Sequence, residues 1–153
     1  MTSPNQNKVL VTGAAGMLGS QLLLAVPDGA QAIGTDLREA PGVEALGVDL
    51  TSEEEVAQLF REHGPFGGII HAAAYTAVDK AEEEQDLADQ INHLAVGQLA
   101  KTAIRQQAKL IHISTDYVFD GESNQPYKET DTTNPINIYG QTKLAGEQAV
   151  QAI

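Results

Sequence analysis

Lys8-Val9-Leu10-Val11-Thr12-Gly13-Ala14-Ala15-Gly16-Met17-Leu18-Gly19 decides the fold of this chain of 153 residues. Residues 8–12 form a short, apolar, β-branched run bounded by glycine, which reads as a buried parallel strand. Met17 to Val26 is rich in leucine and alanine and reads as a helix that ends at Pro27-Asp28-Gly29. Between strand and helix, three glycines each have a physical task. The first allows a tight turn, the second lets backbone approach a pyrophosphate, and the third lets helix pack on strand. Free N–H groups at the helix start then face the phosphates. The spacing is Gly-x-x-Gly-x-x-Gly, and a glycine turn without ligand is the plain alternative.

The chain downstream supports a dinucleotide. Residues 31–35 read as a second strand ending at Asp36, about where an acid meets the adenosine ribose hydroxyls. Gly47-Val48 reads as a short third strand, ending in Asp49-Leu50, a polar and apolar pair suited to an adenine edge and face. Thr51 and Glu54 form a capping-box pattern for a helix over roughly 52–63. Gly68–His71 is the fourth strand, and Ala72-Ala73-Ala74 after it lets a flat cofactor lie close. A long helix is expected over about 86–107, then a fifth strand over Lys109–Ser114. This alternation predicts an α/β, Rossmann-like, doubly wound parallel sheet, with ligand at the switch point between the first and fourth strands.

Toward the other end stand Ser114-Thr115-Asp116-Tyr117-Val118-Phe119, then Tyr139 and Lys143. Residues four apart on a helix share a face. An ammonium about 5 Å from a phenol favours the phenolate by about 3 kcal/mol at an effective dielectric near 20. With a hydroxyl from Thr115, such a pair polarises a C=O and moves a proton to it. An exposed Tyr–Lys pair on a helix is the plain alternative, and alone the spacing is a weak signal.

Composition bounds the rest. The length suits one domain, residues 1–153. There is no cysteine, which removes disulfides and thiolate metal sites and fits a reducing, cytoplasmic compartment. A net charge of −12 argues against a nucleic-acid surface. No apolar run reaches the roughly 18–20 residues that span a membrane, and the polar residues before Lys8 do not read as a signal peptide. Histidines 63, 71, 93 and 112 lack metal-ligand spacing and read as structural.

The flanks of the motifs are more specific than the motifs. Ala72-Ala73-Ala74-Tyr75-Thr76-Ala77-Val78-Asp79-Lys80-Ala81-Glu82, the Ser114–Asp120 segment and Tyr139-Gly140-Gln141-Thr142-Lys143-Leu144-Ala145-Gly146-Glu147 carry a resemblance. From Lys8 to Ile153 the chain resembles the N-terminal part of the dTDP-4-dehydrorhamnose reductase family, within the extended short-chain dehydrogenases/reductases. The resemblance implies an NAD(P)H-dependent oxidoreductase of dTDP-rhamnose and polysaccharide biosynthesis. Hydride passes to the C4 ketone of the dTDP-4-dehydro sugar.

Residue by residue, the resemblance implies that Gly16, Met17 and Leu18 contact the dinucleotide phosphates, with Gly13 forming the turn. Asp36 faces the ribose, and Asp49 and Leu50 face the adenine. Ala74, Tyr75, Thr76 and Ile113 line the path to the nicotinamide. Thr115 and Asp116 contact the sugar, Tyr139 is the acid, and Lys143 binds the nicotinamide ribose. NADH or NADPH is expected, with an NADH bias from Asp36 that Arg38 softens. Members of the family usually carry asparagine where this chain has His71. They also continue past the Tyr-x-x-x-Lys helix, so the substrate-binding C-terminal half is expected to be absent, supplied by a partner, or offset by a homodimer. Two other functions stay open: a non-catalytic dinucleotide-binding regulatory subunit, or a nucleotide-sugar epimerase or dehydratase. Thr115, Tyr139 and Lys143 together favour the reductase.

Overall fold

The computed structural model describes residues 7–153; the residues ahead of Asn7, most of the polar stretch read as no signal peptide, lie outside them. Five parallel strands form one sheet in the order β3-β2-β1-β4-β5. They are β1 (Lys8–Thr12), β2 (Gln31–Asp36), β3 (Val43–Leu46), β4 (Gly68–His71) and β5 (Lys109–His112). The order reverses at β1, which pairs with β2 on one side and β4 on the other. The connection from β1 runs to β2 on one side of it, the connection from β3 returns to β4 on the other, and the gap between them is the expected ligand crevice.

In-register pairing builds the core. Leu10 lies opposite both Ile33 and Ile69, and Ile69 lies opposite Leu110. Val56, Leu59 and Phe60 of α2 (Glu53–His63) and Leu99 and Ala103 of α5 (Ala95–Arg105) cover this face. Phe66 meets Phe60 edge-on at 5.2 Å between ring centroids. Burying each such side chain contributes about 1.5–3 kcal/mol. The opposite face is covered at β1 and β2 by α1 (Met17–Leu24). Ile111, on the edge strand β5, is 57% exposed.

Several boundaries differ from the sequence reading. The third strand is Val43–Leu46, not Gly47-Val48, because Gly47 has φ +78 and turns the chain out of the sheet. The cap of α2 is Ser52, whose hydroxyl accepts from Glu55 N at 3.3 Å, one residue later than Thr51 and Glu54. Thr51 instead donates its hydroxyl to Asp49 at 2.7 Å. Helix α1 stops at Leu24, short of Val26. The fifth strand ends at His112, two residues before Ser114.

The long helix over about 86–107 is three pieces: α4 (Gln85–Asp89), a π-helical turn (Gln90–Leu94) and α5. The single turn of α3 (Val78–Ala81) precedes them, and α6 (Ile138–Gln151) closes the chain. A π turn holds about one extra residue per turn and is frequently found at functional sites. Here it aims Asn92, fully buried, at the loop after β4.

Candidate active site at the ends of β1, β4 and β5

A cleft of about 960 Å³ opens at the C-terminal ends of β1, β2 and β4. Its floor is the glycine loop, with Gly13, Gly16, Met17 and Leu18 all in the lining. Gly13 has φ +67, and a Cβ there would stand 2.7 Å from Ala73 N, so only glycine closes this turn. A Cβ on Gly19 would lie 2.1 Å from Gly13 O, so the third glycine seats α1 against the loop. No side chain caps α1, and its first turn carries no acid. Its first N–H groups therefore have neither a helical partner nor a competing carboxylate.

The walls carry the other expected contacts. Asp36 accepts from Ala15 N and from Arg38 N, each at 3.0 Å. Each carboxylate oxygen keeps a lone pair, enough for two ribose hydroxyls. The Arg38 side chain, 72% exposed, has its Nε 3.6 Å from Asp36. Asp49, Leu50, Ala74 and Thr76 line the same cleft. A bare helix start, a free-sided carboxylate and a groove of this size fit a dinucleotide.

Tyr75 is placed differently. It is outside the cleft lining, and its phenol donates to Glu84 at 2.6 Å. That hydrogen bond favours the neutral phenol and raises its pKa to about 12. Its backbone N and O are held by the Asn92 side chain at 2.9 and 3.0 Å. Ile113 is likewise outside the lining, with its carbonyl taken by Lys143.

The Tyr139–Lys143 pair lies on α6. Asn137 caps this helix, accepting from Gly140 N at 2.7 Å, and Glu82 accepts from Ile138 N at 2.9 Å. A Cβ on Gly140 would be 2.2 Å from Tyr117 O, so the helix lies directly on the 3₁₀ turn Asp116–Val118. The Tyr139 ring accordingly meets Tyr117 edge-on, centroids 5.5 Å apart. Thr115 caps that turn, accepting from Tyr117 N at 3.2 Å and donating to Asp116 at 3.3 Å. Thr115 is half-buried and Asp116 is exposed beside it.

Lys143 is 2% exposed, and its Nζ donates to Ile113 O at 2.5 Å. Burial pushes its pKa down to about 8, and the Glu147 carboxylate works against that shift. Behind it, His71 and His112 sit opposite each other in register and stack at 5.4 Å. Thr12 Oγ1 lies 2.7 Å from His71 Nδ1 and also accepts from Ala73 N. Burial, with His112 and Lys143 nearby, pushes His71 down to about 3, and burial beside Lys143 takes His112 to about 4. Both rings are therefore neutral at pH 7, leaving Lys143 as the cation of this cluster.

Sequence reasoning missed Asn92, Glu82 and the two helical glycines as site-builders. Asn92 also donates to Thr142 at 3.2 Å, and a Cβ on Gly146 would stand 2.2 Å from Asn92 O. An asparagine on the apolar face of a helix was the available signal. Among the described residues no group of three or more His, Cys, Asp or Glu could hold a metal ion, and no helix is long and apolar enough to cross a membrane.

Comparison with known proteins bears on this geometry. The RmlD substrate binding domain model matches residues 7–153. The chain is 43% identical over 143 residues to dTDP-4-dehydrorhamnose reductase of Escherichia coli, covering 94% of this chain and 46% of that protein. It is also 43% identical over 149 residues to methionine adenosyltransferase 2 subunit beta of Bos taurus, covering 96% and 43%. The structure matches that of Bacillus anthracis dTDP-4-dehydrorhamnose reductase in complex with NADP, with TM-score 0.85, 39% identity, and coverage of 99% of this chain and 51% of that one. The chain thus spans about half the length of the curated relatives it matches. Matched over all its described residues, it belongs to the RmlD substrate binding domain family, aligned with the N-terminal part of the dTDP-4-dehydrorhamnose reductases.

Proposed function

We propose that this chain is the dinucleotide-binding and proton-donating part of a reductase that converts dTDP-4-dehydro-L-rhamnose to dTDP-L-rhamnose. A nicotinamide dinucleotide in the cleft would supply the hydride that reaches C4 of the sugar. Tyr139 donates the proton to the C4 oxygen, Lys143 stabilises the phenolate left behind, and Thr115 and Asp116 hold the sugar. The carrying observation is the seat of Tyr139 one turn from a buried Lys143 anchored on Ile113 O. NADH and NADPH are both accepted, with a bias to NADH, because Asp36 offers its carboxylate where a 2′-phosphate would sit and Arg38 offsets part of the repulsion. A cytoplasmic enzyme completed by a partner half or by dimerisation accords with this reading.

A second reading rests on the 43% identity to methionine adenosyltransferase 2 subunit beta: a dinucleotide-binding regulatory subunit without turnover. NADH oxidation with dTDP-4-dehydro-L-rhamnose separates the two, run on the gene's full product and on residues 1–153 alone. A positioned acid is worth about 10²–10⁴ in rate. Tyr139→Phe should lower turnover of the full product by that factor and leave dinucleotide affinity nearly unchanged. Near-full turnover by the Phe variant rules Tyr139 out as donor. Dinucleotide binding with no turnover by the full product favours the regulatory subunit. Residues 1–153 alone should bind dinucleotide weakly and turn over no sugar, and robust turnover by that piece as a monomer would place the sugar site wholly within it.

A further inference from the structure

Two adjacent residues at the end of β5 are gripped by two residues one turn apart on α6. Lys143 Nζ donates to Ile113 O at 2.5 Å, and the Ser114 hydroxyl donates to a Glu147 carboxylate oxygen. Positions 143 and 147 share a helix face, so the half-buried carboxylate is brought close to the buried ammonium without an ion pair within 4.0 Å among the described residues. Neutralising or orienting charge in this cluster is not assigned to Glu147 by the dinucleotide contacts or by the proton transfer.

We propose that Glu147 is a positioning residue of the Tyr139–Lys143 pair: its carboxylate, tethered by Ser114, is the counter-charge that keeps the buried Lys143 ammonium protonated and held on the Ile113 carbonyl. An ammonium this deep loses hydration, and one carbonyl bond does not replace it. The direction of the electrostatics agrees, since burial lowers the Lys143 pKa and Glu147 raises it. Among the described residues, Glu147 is the carboxylate whose charge acts on Lys143. β4 and β5 contribute the His71 and His112 rings, neutral above their depressed values. The α4 and π segment contributes His93 with its own Asp89 partner at 2.9 Å. Glu82 is engaged at Ile138 N, Asp116 with Thr115, and Tyr139 is the helix-mate being served. The consequence for catalysis rests on the reductase reading, but the protonation of Lys143 does not.

The test is a lysine ¹³Cε NMR titration of the chain, with Lys143 assigned by its loss in Lys143→Arg, beside NADH affinity measured across the same pH range. Glu147→Gln keeps an acceptor for Ser114 and removes the charge. Its Lys143 midpoint should fall by about one pH unit. Ser114→Ala keeps the charge but frees the carboxylate, and should fall by less. If Glu147 merely props the helix, its loss admits water and the midpoint rises instead, toward the ordinary lysine value. A rise, or no movement in Glu147→Gln, overturns the proposal. Should that variant fail to fold, an unmoved or raised midpoint in Ser114→Ala overturns it equally. A midpoint that falls as expected while NADH affinity ignores it supports the role of Glu147 and removes Lys143 from the dinucleotide site.

Discussion

His71→Asn offers the sharpest test of the buried cluster, because its effect depends on a sign as well as a size. The His71 ring is 2% exposed, and burial takes its pKa from 6.5 to about 3 in the folded chain. Between those values the unfolded chain binds the proton and the folded chain does not. Stability is therefore fully present above the unfolded value and is lost as pH falls toward the folded one. From about pH 7 to about pH 4.5, the imidazole alone should cost the native state about 2.5 kcal/mol. That figure is insensitive to the folded value, since even at pH 4.5 the folded ring stays neutral. Asparagine keeps a polar group near Thr12 and cannot titrate. Urea unfolding followed by circular dichroism at both pH values, in wild type and variant, gives the double difference. Carboxylates such as Asp120, held low by Tyr127, Glu122 and Asn134, contribute to both proteins and cancel. The variant should lose about 2.5 kcal/mol less than wild type between the two conditions. An acid loss equal in both proteins would show that His71 titrates normally and that the cluster is open to water.

Gly19→Ala should abolish tight dinucleotide binding and lower stability, because its Cβ would meet Gly13 O at 2.1 Å and lever α1 off the loop; fluorescence titration with NADH reads it. Asn92→Ala orphans Tyr75 N and O and should cost about 2–4 kcal/mol by chemical denaturation, since buried groups left unpaired cost about 1–3 kcal/mol each. Asp36→Ala should erode the preference for NADH over NADPH and also weaken both, as the same carboxylate holds Ala15 N; calorimetry with the two dinucleotides checks it, and a wild type that binds NADPH about tenfold tighter would contradict the ribose role.

How much of this was legible depended on how local each signal is. The turn at Gly13 and the strand before it were readable because a glycine requirement is written within one loop. Tyr139 and Lys143 were readable because a helix fixes their spacing. The third strand was misplaced because Val43–Leu46 buries only Ala45, so its pattern is faint, whereas Gly47-Val48 looks like a strand and is a turn. The π turn was invisible because α4, the π turn and α5 share one apolar periodicity, and only the aim of Asn92 betrays the extra residue. The histidine pair was read as two scattered residues, since it exists only through the register of β4 on β5. The resemblance puts Tyr75 on the cofactor path, and its phenol is engaged by Glu84, nine residues on, a contact that no local pattern announces.

What the non-local contacts share is their target. Glu82 holds Ile138 N, Asn92 holds Thr142 and Tyr75 together, Ile113 O holds Lys143, and Ser114 holds Glu147. Every one of these fixes α6 to the segments that follow β4 or β5, the same segments whose starts, at Ala72–Ala74, wall the cleft. The position of Tyr139 relative to the dinucleotide groove is therefore set by hydrogen bonds inside residues 7–153. The segment proposed to hold the sugar differs: Thr115 and Asp116 stand at the start of a single 3₁₀ turn, and the edge strand β5 leaves Ile111 exposed. Tyr139, the proposed proton donor, and the groove form one unit that could accept different sugar-binding surroundings without being rebuilt.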